Sequence, residues 1–150
     1  MKIVILGAGR IGSSLARNLS NSNYEVCIVD EDKNKLSELE DKLDIMTVEG
    51  SASHLNTLKK SGLDEDTIVL AVTSNDEVNI VACQIAKKAF DVKKTICRFR
   101  DNSYFGKLEI FGEGVIDIPI SPEDEITTHL KELIDHPGAS QIESFANGKV

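Results

Sequence analysis

Short apolar runs alternate with segments of helical period along almost the whole chain. The apolar runs predict strands near residues 2–6, 25–29, 45–48, 67–72, 94–99 and 115–118. The spacing of apolar positions predicts helices near 11–21, 32–43, 52–61, 75–90 and 102–111, with another at 122–135. Ile68-Val-Leu-Ala-Val72 is apolar throughout rather than alternating, as expected of a parallel strand covered by helices on both faces. Asp32 and Asn75 stand where they can cap the second and fourth helices, with carboxylates in the first turn to complement the dipole. Repeated βα units with right-handed crossovers predict an α/β, doubly wound parallel sheet of the Rossmann type.

The first strand runs directly into Gly7-x-Gly9-x-x-Gly12, and a helical pattern follows at once. Each glycine has a mechanical role in holding a dinucleotide. Gly7 permits the tight turn off the strand, Gly9 lets backbone approach a pyrophosphate, and Gly12 lets the helix lie close to the strand. The helix N-terminus turns unbonded N–H groups and its positive dipole end on the phosphates. Asp30, at the tip of the second strand, can accept hydrogen bonds from ribose hydroxyls. This fingerprint favours strand order 3-2-1-4-5-6, with ligand lying across the carboxyl ends of the strands. Other strand ends then become candidates. Ser51 and Ala52 form a small-residue turn where an adenine can lie flat, Thr73 to Glu77 follow the fourth strand, and Arg98 ends the fifth. Asp30-Glu31-Asp32 places three carboxylates where an NADP 2′-phosphate would sit, so NAD or an adenine nucleotide is expected instead.

Composition narrows the classes. At 150 residues, 41% apolar and 28% charged, the chain is one ordinary globular domain. A net charge of −8 argues against general nucleic-acid binding. Residues 87–107 nevertheless hold seven cations against Asp91 and Asp101, and a member of that set such as Arg98 can point at phosphate. No apolar run reaches the ~18 residues needed to span a bilayer. Cys27, Cys83 and Cys97 show no CxxC spacing and fall in apolar segments, so buried reduced thiols in a cytosolic protein are expected. His54, His129 and His136 are poorly placed to serve as an acid or base over a cofactor, and no Ser-His-Asp order, HExxH or Walker motif is present. A nucleotide is held and nothing is poised to react with it. That pattern reads as a sensor rather than an enzyme.

Further segments carry a resemblance. Met1 to Gly12, Val29-Asp30, Val48-Glu-Gly50, Leu70-Ala-Val-Thr-Ser-Asn-Asp-Glu77 with Asn79 and Val81-Ala-Cys83, Arg98, Ile120-Ser-Pro-Glu123 and His136-Pro-Gly-Ala139 together resemble the Trk-type potassium-uptake regulator family. The resemblance covers essentially the whole chain. It implies an RCK (regulator of K⁺ conductance) N-terminal domain over residues 1–136, with 137–150 starting a C-terminal subdomain that this chain does not contain. It implies binding of NAD(H), and of ATP or ADP at the same site. It also implies assembly as a homodimer or higher ring, cytoplasmic and peripheral to the inner face of the plasma membrane. There the ring would gate a Trk-type membrane K⁺ transporter. Gly7, Gly9, Arg10, Ile11 and Gly12 match the family's phosphate loop, and Asp30, followed by Glu31, its ribose acid. Ser51 and Ala52 match the adenine-side turn, Thr73, Ser74 and Glu77 the fourth-strand loop, and Arg98 a phosphate arginine. The helix at Pro122 to Asp135, striped by Ile126, Leu130, Leu133 and Ile134, resembles the family's C-terminal crossover helix. Two readings from other classes stay open at this point: the cofactor-binding half of an NAD-dependent oxidoreductase, and a dimerisation module with a vestigial site.

Overall fold

The structure, a computed structural model, describes residues 1–121. The expected crossover helix at 122–135, His129, His136 and the segment 137–150 lie outside the described residues. Six strands form one parallel sheet: β1 (Lys2–Leu6), β2 (Glu25–Asp30), β3 (Met46–Glu49), β4 (Thr67–Ala71), β5 (Lys94–Arg98) and β6 (Ile118–Ile120). Their order is β3-β2-β1-β4-β5-β6, as expected from the fingerprint. Helices α1 (Arg10–Ser20), α2 (Lys33–Lys42), α3 (Leu55–Lys60) and α4 (Asp76–Phe90) link the first five strands.

Alternation along each strand supplies two cores, one per face. Ile3, Ile5, Ile28, Ile68 and Leu70 meet Leu15 and Leu19 of α1 and Leu36 and Leu39 of α2. Val4, Leu6, Val29, Val69 and Ala71 meet Leu58 of α3 and Ile80, Ala82 and Cys83 of α4. With both faces covered, β4 is buried along its whole length. All three cysteines are buried free thiols. Burial pushes the Cys27 thiol up to about 11.

β1 lies between β2 and β4, with Leu6 level with Val29 on one side and Ala71 on the other. The chain leaves β1 toward β2 and later returns on the far side to form β4. The helices that follow β1 and β4 therefore diverge to opposite faces, and a crevice opens at the carboxyl ends between them.

Two expectations are corrected near the end of the described chain. The segment 102–111 is not an α-helix but two short 3₁₀ turns, Asn102–Tyr104 and Leu108–Phe111. Gly106, between them, takes φ +83°, which an α-helix cannot contain. The aromatic side chains of this segment gather on Phe99: Tyr104, Phe105 and Phe111 have ring centroids 5.3, 6.0 and 6.3 Å away. The sixth strand runs 118–120 rather than 115–118. Val115 and Ile116 are buried, yet they belong to the approach loop, held where the Thr95 hydroxyl donates to the Val115 carbonyl and the Asp117 carboxylate accepts the Thr95 N–H at 2.8 Å. Pro119 is tolerated because β6 is paired only with β5 among the described strands. The third helix begins at Leu55 rather than residue 52, because Ser51 and Ser53 close a turn first, with the Ser53 N–H donating to the Ser51 hydroxyl.

Candidate functional site

The crevice holds a cleft of about 500 Å³ at the carboxyl ends of the strands. Gly7, Gly9, Arg10 and Ile11 form its floor on the β1 side, with Asp30 and Glu31 from the end of β2. Ser51 and Ala52 follow β3, Thr73 and Ser74 follow β4, and Arg98 closes the β5 side.

The β1 side is built from backbone. Gly7 leaves the strand at φ +112°, with its N–H on the Val29 carbonyl at 2.8 Å. A Cβ at Gly12 would collide with the Gly7 carbonyl oxygen, so only glycine lets α1 come this close to the turn. Gly12 is buried and does not line the cleft; its role is the packing one. A Cβ at Gly9 would meet nothing within 4 Å, so Gly9 leaves open space above the backbone. Gly9 is also the N-cap of α1, which carries no side-chain cap and no acid in its first turn. Two of the other three helix starts at this end of the sheet differ: Asp32 caps α2 through the Asn34 and Lys35 N–H groups, and Asn75 caps α4 through the Val78 N–H, whereas α3, behind His54, also lacks a side-chain cap. The first N–H groups of α1 are thus left without the partners that α2 and α4 receive.

Asp30 is held rather than loose. One carboxylate oxygen accepts the Ala8 N–H and the other the Asp32 N–H, both at 2.7 Å. Each oxygen keeps a further lone-pair site for a hydroxyl donor. Asp32 is occupied with capping and does not line the cleft, whereas Lys35 does. Sequence reasoning missed Lys35 because it weighed only the residues next to Asp30; one helical turn further on would have shown it.

The β4–β5 side is built from side chains. Arg98 donates from Nη1 to the Thr73 and Val72 carbonyls at 3.1 and 3.4 Å, and its Nε is buried without a hydrogen-bond partner. Burial, and then the neighbouring charge of Arg100, press its pKa below the usual guanidinium range; a guanidinium stays charged at neutral pH all the same. Arg100 reaches the Ser74 carbonyl at 3.4 Å. The cationic character of this wall, and an orphaned buried donor on it, fit a ligand that carries phosphate. Of the expected site residues, Glu77 is exposed and does not line the cleft; it lies in the first turn of α4, where its charge complements the helix dipole. Asn75, one of the fourth-strand-loop candidates, lines the cleft, whereas Val78, which also lines it, and the fully buried Asn79 were not among the expected site residues. Asn79 left a sequence signal, a polar residue on the otherwise apolar inward face of α4.

The profile of the TrkA-N domain family matches residues 3–122. The chain belongs to that family. The Trk system potassium uptake protein TrkA of Halomonas elongata is 42% identical over 152 residues, and that of Vibrio alginolyticus 41% over 153. Both alignments take in all of this chain and 33% of the relative, so the TrkA-N domain described here spans about a third of the length of the curated relatives it matches. Among solved structures, the NAD(P)-binding domain of an exopolyphosphatase-related protein from Archaeoglobus fulgidus superposes with a TM-score of 0.69 at 22% identity, over 89% of this chain and 96% of that one. The GsuK channel bound to NAD gives 0.64 at 18% identity, over 79% and 21%. The Kef CTD of Shewanella denitrificans in its AMP-bound form gives 0.62 at 18%, over 99% and 87%. These likenesses establish the Rossmann-like fold. No helix among the described residues is long and apolar enough to cross a membrane.

Proposed function

We propose that this TrkA-N domain is a non-enzymatic, nucleotide-sensing module of a potassium-uptake regulator. It binds NAD(H), or ATP or ADP at the same site, and its ligand-dependent conformation gates a membrane K⁺ transporter through a dimeric or ring assembly. The observation that carries the reading is the composition of the cleft at the carboxyl ends of the strands. An uncapped helix N-terminus, open space over Gly9, the held carboxylate of Asp30 and the cationic Arg98 wall all face the same volume. Asp30 would take the ribose hydroxyls, the N–H groups of Arg10 to Gly12 the pyrophosphate, and Ser51 and Ala52 the adenine side. Arg98 would take a phosphate oxygen. When bound, the dinucleotide brings two negative phosphates and a nicotinamide whose redox state can be read.

The relatives named as potassium-uptake proteins support the coupling to potassium transport, and the GsuK channel bound to NAD supports NAD(H) as a ligand. The AMP-bound Kef structure supports adenine nucleotides as alternatives. Gating requires only that a ligand prefer one arrangement of the assembly, since differential affinity alone shifts a population.

A thermal-shift titration of this chain with NADH, NAD, NADPH, ATP and ADP tests the binding half. A ligand at about 100 times its Kd adds roughly 2.7 kcal/mol, which raises Tm visibly. Stabilisation by NAD(H) or adenine nucleotides and not by NADPH is the expected result. No stabilisation by any of the five sinks the proposal for this chain.

A further inference from the structure

We propose that Asn79 is the positioning residue of the site, holding Arg98 in its ligand-facing pose. The inference rests on the nucleotide reading above and adds to it the device that presents the phosphate-side cation.

Asn79 lies in the first turns of α4, fully buried, and its amide makes four hydrogen bonds. Oδ1 accepts the Thr73 N–H at 3.0 Å and the Thr73 hydroxyl at 2.6 Å. Nδ2 donates to the Thr73 carbonyl at 3.1 Å and to the Arg98 carbonyl at 3.0 Å. The partners leave no freedom in which way the amide points. A main-chain N–H can only donate and main-chain carbonyls can only accept, so oxygen must face the first and nitrogen the other two. Carboxylate, hydroxyl or aliphatic side chains cannot supply two acceptor contacts and two donor contacts from one planar group.

The consequence for Arg98 is direct. Its backbone is anchored by Asn79 through the Arg98 carbonyl, and its guanidinium is anchored on the Thr73 carbonyl, the same oxygen that Asn79 holds from the other side. Both ends of the arginine are therefore referenced to one buried amide. Removing the amide frees the Thr73 turn, and the guanidinium loses a fixed acceptor while its Nε already has none. Asp76 ties the same two loops a turn earlier, accepting the Arg100 and Asp101 N–H groups at 2.8 and 3.1 Å. The loops stay together without Asn79; what is lost is the aim of Arg98.

A double-mutant cycle separates this role from a purely structural one. NADH affinity is measured by calorimetric titration of the parent chain and of Asn79→Ala, Arg98→Ala and the double variant, with Tm recorded for each. Asn79→Ala is expected to weaken NADH about tenfold in the parent background and less than about twofold in the Arg98→Ala background, with each variant still melting cooperatively. Equal losses in the two backgrounds, or unchanged affinity in Asn79→Ala, overturn the positioning role. If Asn79→Ala does not fold, Asn79→Ser carries the same cycle. A parent chain that binds none of NADH, NAD, ATP and ADP overturns the nucleotide reading, and this inference with it; where ATP or ADP binds and NADH does not, the same cycle is run with that nucleotide. Binding by the parent with no coupling overturns the Asn79 assignment alone.

Discussion

The two walls of the cleft are made differently. The β1–α1–β2 wall is largely main chain shaped by what glycine permits, with the carboxylates of Asp30 and Glu31 at its β2 end. The β4–β5 wall depends on side chains: Asn79, Asp76 and Arg98 bond backbone groups of residues 72, 73, 98, 100 and 101 across the gap between α4 and the sheet. The first wall is a fixed cradle whose geometry follows from steric exclusion. The second is a hydrogen-bonded assembly whose geometry exists only once β4, α4 and β5 have docked. A ligand touching both would meet one surface set by steric exclusion and another set by a buried hydrogen-bond assembly.

Substitutions can break or sharpen that contrast. The largest effect is expected from Gly12→Ala, where the added Cβ meets the Gly7 carbonyl oxygen and the helix must move off the strand. A stability loss of about 3 kcal/mol or more is expected by chemical denaturation. A loss below about 1 kcal/mol would mean that the first wall is not rigid. Gly9→Ala is the counterpart, because its Cβ enters open space. Stability should stay within about 0.5 kcal/mol of the parent. NADH binding should weaken by about 1.5–3 kcal/mol or more, since the Cβ stands where backbone must approach phosphate. Asp30→Ala should weaken any ribose-containing ligand by a similar ~1.5–3 kcal/mol, typical of a lost charged hydrogen bond, and calorimetric titration reads both. If both variants fold and bind like the parent, the site is elsewhere.

A smaller effect concerns ligand choice. NADPH is expected to bind more weakly than NADH by about tenfold, because the carboxylates of Asp30 and Glu31 face the ribose side of the cleft. Lys35 offsets part of that repulsion, so Lys35→Ala should widen the gap; equal affinities for the two cofactors would remove the carboxylate argument.

The smallest effect is on pH. Burial raises the Cys27 thiol from 9.0 to about 11, so the unfolded chain gives up this proton first. The resulting stability is intact below about pH 9 and is lost as pH rises toward about 11. Cys97, beside Arg98, is raised as well, first by its hydrogen bond with Cys83 and then by burial. Thermal melts across that range should show the decline, and Cys27→Ala should remove the part that belongs to this core thiol. An unchanged slope in that variant would rule out the Cys27 contribution.

Much of this was legible in the amino-acid order. The sheet order, five of the six strands, the caps at Asp32 and Asn75, the buried thiols and the positions of Gly7, Gly9, Asp30 and Arg98 in the crevice all follow from local signals. Apolar periodicity, turn glycines and a carboxylate at a strand tip act within a few residues of themselves, so one stretch of chain suffices to read them. The aromatic-rich segment 102–111 misled the periodicity argument. Its apolar residues are spaced for a helix, yet they cluster on Phe99 through two tight turns that Gly106 allows. Glu77 looked like a site residue because it stands in the fourth-strand loop region, but α4 turns it outward.

The sequence by itself determined the fold and the glycine cradle, because steric exclusion and hydrophobic alternation are properties of short segments. Only the tertiary structure decided what the second wall is. Asn79 bonds residues six and nineteen positions away, Asp76 bonds Arg100 and Asp101, and Lys35 reaches a cleft formed mainly by other elements. Such partners are set by how helix and sheet dock, and docking depends on the whole core at once.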